Sequence, residues 1–360
     1  MKRTFPLMAA IAVAIPLTLA SAPAHAAEPP PPEVIAGGYV APLKLALDLD
    51  GSVYVSDNFA SRIDKIARNG TVSTVYTSAT PGNDVGGVSA FLGSVYFTET
   101  VAGADGFPIE SYLKKIDRKG KVTQLADIRG YENRKNPDQK NTYGAVGLTA
   151  ECAALLPPQY STEYTGLLDS HAYATLGTPI GTVVADAGSN ALFTVDARGT
   201  VRTLAVFAPQ PYVINDAAIA EGFPACSKGA TYKFEPVPTD VELGPDGWLY
   251  VTLLPGGPES PALGGRGSVV KVNLLSGKVV PVASGFISAT DLAVTPKGDI
   301  YVAELFGQQI SLVKKGATTG TPYRSGPFPG AVEWSPSGLY ATLGALPTGG
   351  PPAGQVVLYR

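Results

Sequence analysis

The chain has 360 residues, of which only 16% are charged, and a net charge of −3. Such a weakly acidic surface repels phosphate backbones, so nucleic acid is not an expected partner. The 41 Gly and 32 Pro are too many for a helical protein and suit short strands joined by frequent turns.

Taken in chain order, residues 1–26 read as a cleaved secretory signal peptide. Lys2 and Arg3 precede a mostly apolar stretch that runs to Leu19, and Ala24-His25-Ala26 supplies small residues for cleavage after Ala26. No Cys follows that site to carry a lipid anchor, and no later stretch approaches the roughly 18 consecutive apolar residues of a membrane span. The expected location is therefore outside the cytoplasm, by bacterial export. Residues 27–32 read as a stiff Pro-rich spacer.

From residue 33 onward one short pattern recurs: a strand, a tight glycine turn, a strand with Tyr near its end, then an acid. It reads LALDLDGSVYVSD at 45–57, VSAFLGSVYFTE at 88–99, VELGPDGWLYV at 241–251 and LAVTPKGDIYVAE at 292–304. Looser copies are GTVVADAGSNALFTVDARGTV at 181–201 and VEWSPSGLYATL at 332–343. Strand-only repeats of this length predict an all-β fold, a six-bladed β-propeller of four-stranded antiparallel blades spanning residues 33–360 as one domain. Within each repeat the strands are taken as a to d from inside to outside. Strand c is expected at Ile63–Ala67, Leu113–Asp117, Ala191–Asp196, Ser268–Asn273 and Ile310–Val313. The last repeat stops after its third strand, at Gln355–Arg360. Glu33–Gly37 resembles a fourth strand and is expected to close the ring by pairing there.

Long segments fall at 100–112, 253–267 and 344–354 between strands b and c, and at 129–169 and 208–238 between repeats. In a propeller both kinds of connection lie on one face, which makes that rim the expected binding surface. Short helices are expected at Thr149–Leu156 and Asp216–Glu221. Cys152 and Cys226 lie in the two inter-repeat segments that flank the third blade. An oxidising compartment favours a disulfide between them, the alternative being two free thiols.

Several segments carry a more specific likeness. PTDVELGPDG at 238–247, LLPGGPE at 253–259, DSH at 169–171, ATDLAV at 289–294 and YVAELFG at 301–307 resemble the ScyD/ScyE family, over essentially the whole chain after the leader. The repeat in general resembles NHL and gluconolactonase-like six-bladed propellers. The resemblance implies a secreted bacterial propeller and supplies no activity. Gluconolactonase-like propellers hold a divalent cation in their channel.

Alignment on the first turn glycine places candidate chemistry. Seven residues before it stand Lys44, Gly86, Asp240, Asp291 and Ala331; five before it stand Ala46, Val88, Glu242, Ala293 and Glu333. Asp240, Glu242, Asp291 and Glu333 thus share one sector of the channel mouth and repel one another unless a proton or a cation neutralises them. Calcium, which prefers oxygen ligands, is the candidate metal. The competing reading has Asp240 and Asp291 bonded to backbone amides of the next blade. The acids ending strand b (Asp57, Glu99, Asp186, Glu304) are expected to accept backbone N–H bonds in the following turn, and the repeated Tyr residues to pack between blades.

Beyond the leader His171 is the one histidine, which excludes a multi-histidine zinc or copper centre. It is the candidate general base, with Asp169 as orienting partner, or else a local structural group. Neither a Gly-rich phosphate loop in a strand-to-helix context nor a Gly-X-Ser-X-Gly motif occurs. The expected function is a binding protein whose loop-rich rim takes a small molecule, glycan or protein. The alternative is a divalent-metal-dependent lactonase or esterase, with the four carboxylates on the cation and His171 assisting. A third reading is a dehydrogenase or lyase that leans on His171.

Overall fold

Period-two alternation with a glycine turn every few residues lets each repeat fold back on itself as an antiparallel meander. The turn glycines Gly51, Gly247 and Gly298 have φ of 83°, 76° and 87°, a region that favours glycine. The computed structural model describes residues 30–104, 106–257 and 260–360; the leader expected at 1–26 lies outside them. Contacts gather Pro32–Arg360 into one compact unit.

The first strand among the described residues is β1 (Glu33–Tyr39). The first sheet holds β2 (Pro42–Leu47), β3 (Val53–Asp57), β4 (Arg62–Ile66) and β5 (Val72–Thr77). The second holds β6 (Asp84–Phe91), β7 (Ser94–Ala102), β8 (Pro108–Ile116) and β9 (Val122–Asp127). Then come α1 (Ile128–Lys135), β10 (Thr142–Val146), α2 (Ala150–Ala153) and β11 (Tyr164–Thr165). The third sheet is β12 (Ala172–Thr178), β13 (Gly181–Asp186), β14 (Ala191–Val195) and β15 (Val201–Val206). After β16 (Gln210–Val213), α3 (Asp216–Ala220) and β17 (Thr231–Phe234) comes the fourth, β18 (Pro238–Leu243), β19 (Leu249–Leu253), β20 (Gly267–Val272) and β21 (Val279–Phe286). The fifth is β22 (Ala289–Val294), β23 (Ile300–Glu304), β24 (Gln309–Val313) and β25 (Thr321–Ser325). The sixth is β26 (Val332–Ser335), β27 (Gly338–Leu343) and β28 (Gly354–Tyr359), completed by β1 in the order β1-β28-β27-β26. Glu33 thus lies opposite Leu358, the pairing expected from the sequence.

Six apolar clusters join these sheets in succession. Ala46 and Tyr54 of the first meet Val85 and Phe97 of the second, and Leu113 of the second, with Ile128 of α1, packs against Val184 and Phe193 of the third. The series continues through the fourth and fifth sheets to Val332 and Val357 of the sixth. The last cluster packs Ala331 and Val356 of the sixth against Leu45 and Val55 of the first. The strand-b tyrosines belong to these clusters, as expected of packing groups. The innermost strands β2, β6, β12, β18, β22 and β26 follow one another side by side, and β26 adjoins β2.

A seventh sheet was not foreseen. The two inter-repeat segments, expected to hold only short helices, pair with each other as β11-β10-β17-β16. They form a core of their own, in which Tyr160, Phe223, Tyr232 and Phe234 pack with Leu263 from the 253–267 segment. Cys152 and Cys226 are bonded to each other in this unit. The expected helices shrink to α2 and α3, capped by Thr149 and Asn215. The additional helix α1 starts where Asp127 accepts the Gly130 N–H at 2.7 Å.

The acids ending strand b also act differently from expectation. Asp57 accepts from Val40 N and Ala41 N, Asp186 from His171 N, and Glu304 from Ile287 N. They hold the chain as it enters the innermost strand. Of these contacts with backbone, only Ser189 N on Asp186 lies in the following turn. Glu99 instead takes side chains, including Ser78, Asn83 and Lys114.

Candidate site at the centre of the innermost strands

The first strands do not run in perfect register with the second. A shift falls between Pro42 and Lys44, Ala172 and Ala174, Pro238 and Asp240, and Ala289 and Asp291. Bulges of this kind bend a strand and re-aim the side chain that follows. Here they turn Lys44, Asp240 and Asp291 toward one another.

Lys44 is 2% exposed, and its ammonium is fully engaged. Nζ lies 2.7 Å from Asp291 Oδ2, 3.3 Å from Asp240 Oδ1 and 2.9 Å from the Thr290 carbonyl. Three donors meet three acceptors, which is what allows a lysine to be buried. The other carboxylate oxygens reach into neighbouring sheets. Asp240 Oδ2 accepts from Leu292 N at 3.1 Å and Asp291 Oδ1 from Val332 N at 2.9 Å. The inter-blade amide bonds weighed from the sequence are therefore present, and the cation beside both aspartates is the chain's own.

Glu242 and Glu333, two residues farther along their strands, are half-buried in the same field. Burial and then the charges of Asp240 and Asp291 hold Glu242 well above the usual carboxylate range; burial and then Glu242 do the same for Glu333. Asp291 is raised by burial and by Asp240, against the pull of Lys44. One ammonium thus faces four carboxylates, and the surplus charge favours proton uptake. Among the described residues no three Asp, Glu, His or Cys are spaced to hold a metal ion.

Across from this group, His171 Nε2 lies 2.6 Å from Asp84 Oδ2. Asn58 Nδ2 donates to Asp84 Oδ1 at 2.8 Å, and Ser56 Oγ donates to Asn58 Oδ1 at 2.7 Å. Gly86 makes room for this relay, because a Cβ there would lie 2.8 Å from Asn58 Nδ2. Burial opposes protonation of His171, but the Asp84 bond and charge, helped by Asp186 and Asp169, raise its pKa above the ordinary value. A third of the side chain is exposed, and Nδ1 has no hydrogen-bond partner among the described residues. Asp169, the partner expected from sequence proximity, faces Arg129 at 3.7 Å instead.

Tyr173 joins the two halves. Its ring stands edge-on to His171 at 5.7 Å, and Lys44 Nζ is 5.3 Å from its centre. Burial lifts its hydroxyl to about 12, with Lys44 acting against the shift and Asp84, Asp291 and Asp240 adding to it. The arrangement offers a half-buried imidazole with a fixed partner and a neutral phenol, beside a sector of surplus negative charge. The sequence singled out His171 and the four acids. It missed Asp84, Tyr173 and the role of Lys44, although Lys44 stands at the same repeat position as Asp240 and Asp291.

No family model matches the chain, and no curated protein matches it. Solved structures do. The chain is similar to a putative glucose dehydrogenase-type oxidoreductase from Thermus thermophilus, at 17% identity and a TM-score of 0.54 over 91% of this chain and 98% of that one. It is similar to a gluconolactonase from Xanthomonas campestris, at 12% identity and a TM-score of 0.52 over 90% of this chain and 88% of that one. A catalytically inactive histidine-to-alanine variant of virginiamycin B lyase from Staphylococcus aureus, solved with quinupristin, matches at 12% identity and a TM-score of 0.51, over 91% of this chain and 98% of that one. At these identities the likeness is one of fold, to NHL and gluconolactonase-like propeller proteins.

Proposed function

We propose that this chain is an exported six-bladed β-propeller of the ScyD/ScyE kind, with residues 33–360 as one closed domain, that binds a small neutral polar molecule at its channel mouth. The succession of six inter-sheet cores supports the ring, and the pairing of β1 with β28 supports its closure. The Cys152–Cys226 bond fits an oxidising compartment. His171 and Tyr173 are the grip. The observation that carries this reading is the 2.6 Å contact between His171 Nε2 and Asp84, in a side chain still one-third exposed. When the imidazole is neutral, donation from Nε2–H to Asp84 leaves Nδ1 as an acceptor for a ligand hydroxyl.

The metal-dependent hydrolase reading places a divalent ion on Asp240, Glu242, Asp291 and Glu333. Asp240 and Asp291 already hold Lys44 Nζ and a backbone amide each, which favours binding without a metal in this sector. Sugars, polyols and lactones are the ligand class to screen, with D-glucose and glucono-δ-lactone as first probes. Thermal-shift titration of the chain from Ala27 onward should reveal a stabilising member of the panel, with the response lost in His171→Ala and weakened in Tyr173→Phe. An equal response in the parent and in His171→Ala would overturn the assignment.

A further inference from the structure

The innermost strands all start at the end of the molecule that holds the candidate site. Lys44, Asp240 and Asp291, near the starts of β2, β18 and β22, meet there. Asp84, which opens β6, bonds His171 just ahead of β12, and Asp291 accepts from Val332 N, the first residue of β26. Each innermost strand therefore turns back into its neighbour at the opposite end. In an antiparallel meander the turn from the third strand to the fourth lies at that end too.

Each of these inner turns leaves an apolar side chain in solvent. Leu49 is 88% exposed, Leu92 53%, Ile180 68% and Leu243, which ends β18, 52%. The fifth and sixth sheets add the exposed Pro296 and Pro336. Single exposed apolar residues are ordinary, but one in every inner turn at one end is a pattern. The chain's two tryptophans, Trp248 and Trp334, are half-buried at this end as well.

The outer turns, from third strand to fourth, are basic. Arg68, Lys119, Lys121, Arg198, Lys278 and Lys315 are exposed. None of them is in an ion pair among the described residues. Of the acids in the inner and outer turns, Asp50, Asp196, Asp246 and Asp299 each pair with a lysine or arginine. That leaves Asp48 and Asp117 against the free cations, so this end is net positive although the chain carries −3. Phosphates are attracted here, whatever the net charge does to them elsewhere.

We propose that this turn-bearing end docks on an anionic lipid bilayer. Its inner apolar residues enter the interface, and its outer lysines and arginines meet the lipid phosphates. Half-buried tryptophans suit the headgroup region. An apolar centre within a basic margin fits a bilayer better than a soluble polyanion, which would engage the cations and leave the leucines in water. Docked in this way, the chain presents His171 to the solution, at the end away from the lipid.

The test is flotation of the chain from Ala27 onward with vesicles of phosphatidylglycerol and phosphatidylcholine in equal parts, and with phosphatidylcholine alone. The chain should float with the anionic vesicles at about 0.05 M salt and lose most of that binding by about 0.5 M. It should not float with the neutral ones. Brominated lipids in the anionic vesicles should quench its tryptophan fluorescence. Each cation removed should weaken binding about fivefold, so Lys119→Ser/Lys121→Ser should lose about 20-fold. Leu49→Ser/Ile180→Ser should also bind more weakly, and both variants should melt with the parent because the altered side chains are exposed. Lys228→Ser, exposed in the inserted segments, should bind like the parent. Absence of flotation with the anionic vesicles would overturn the proposal, as would binding that neither double variant weakens. Retention on heparin without flotation would assign this end to a soluble polyanion and overturn it too.

Discussion

Lys44 Nζ and Asp291 Oδ2 lie 2.7 Å apart although 247 residues separate them in the chain. The contact ties the first sheet to the fifth, and the 3.3 Å contact with Asp240 ties it to the fourth. A buried ion pair is often replaceable as a unit, whereas removal of one partner leaves an uncompensated charge. Lys44→Met should therefore cost about 3 to 5 kcal/mol at neutral pH, measured by denaturant unfolding. The double variant Lys44→Met/Asp291→Asn should lose less than the single one. The loss in the single variant should shrink as the pH is lowered, because Asp291, already raised by burial and Asp240, takes up a proton. If Lys44→Met unfolds like the parent, the ammonium does not hold the centre together.

His171 gives a cleaner pH signature. Its pKa is raised in the folded state, so the stability it contributes is fully present below the unfolded value of roughly 6.5 and is lost as pH rises through the folded value. The groups that face it are Asp84, Asp186 and Asp169. In the chain from Ala27 onward it is the one imidazole, so its proton NMR titration needs no assignment. The midpoint should lie above 6.5 in the parent and fall in Asp84→Asn. An unchanged midpoint in that variant would show that the 2.6 Å contact does not control the histidine.

The sheets were legible because each repeat carries its own turn glycine and alternation, and four of them a terminal acid, so that their strands are identified locally. The seventh sheet was not. β10 and β17 each span only a few residues, and Gly144 pairs with Lys233 from the far side of the third sheet. Nothing in either segment announces the other. The same distinction runs through the site. Asp240 and Asp291 emerged from repeat alignment because position in a repeat fixes position along the innermost strand of a sheet. Asp84 reaches His171 across 87 residues, and proximity in sequence pointed to Asp169 instead. Lys44 was in the aligned column; what the alignment lacked was the convergence of three sheets on one ammonium.

The disulfide should stabilise the inserted sheet rather than the repeats. Cys152 and Cys226 stand 74 positions apart, and a disulfide is typically worth about 2 to 4 kcal/mol. That loop contains the whole third sheet, but Cys152 itself lies in α2 and Cys226 between α3 and β17, both in the inserted segments. In Cys152→Ser/Cys226→Ser, amide exchange should accelerate in β10 and β17 and remain slow in β22 and β23. Uniform acceleration across both regions would mean that the inserted sheet and the repeats unfold as one unit.

β1 makes the last prediction. It covers β28, and Tyr39 at its end is buried with Leu45 and Val356 in the cluster that joins the sixth sheet to the first. Arg360 also reaches Glu33, at 2.8 Å, but that pair is exposed and contributes little. A chain starting at Val40 would leave β28 as an uncovered edge, open to pairing with other chains, and would empty the Tyr39 position. It should unfold at a much lower temperature than the parent and form higher oligomers on size-exclusion chromatography. A synthetic peptide covering residues 33–41 should restore both properties by supplying the missing strand in trans. A shortened chain that stays monomeric and melts with the parent would show that the sixth sheet needs only its three C-terminal strands.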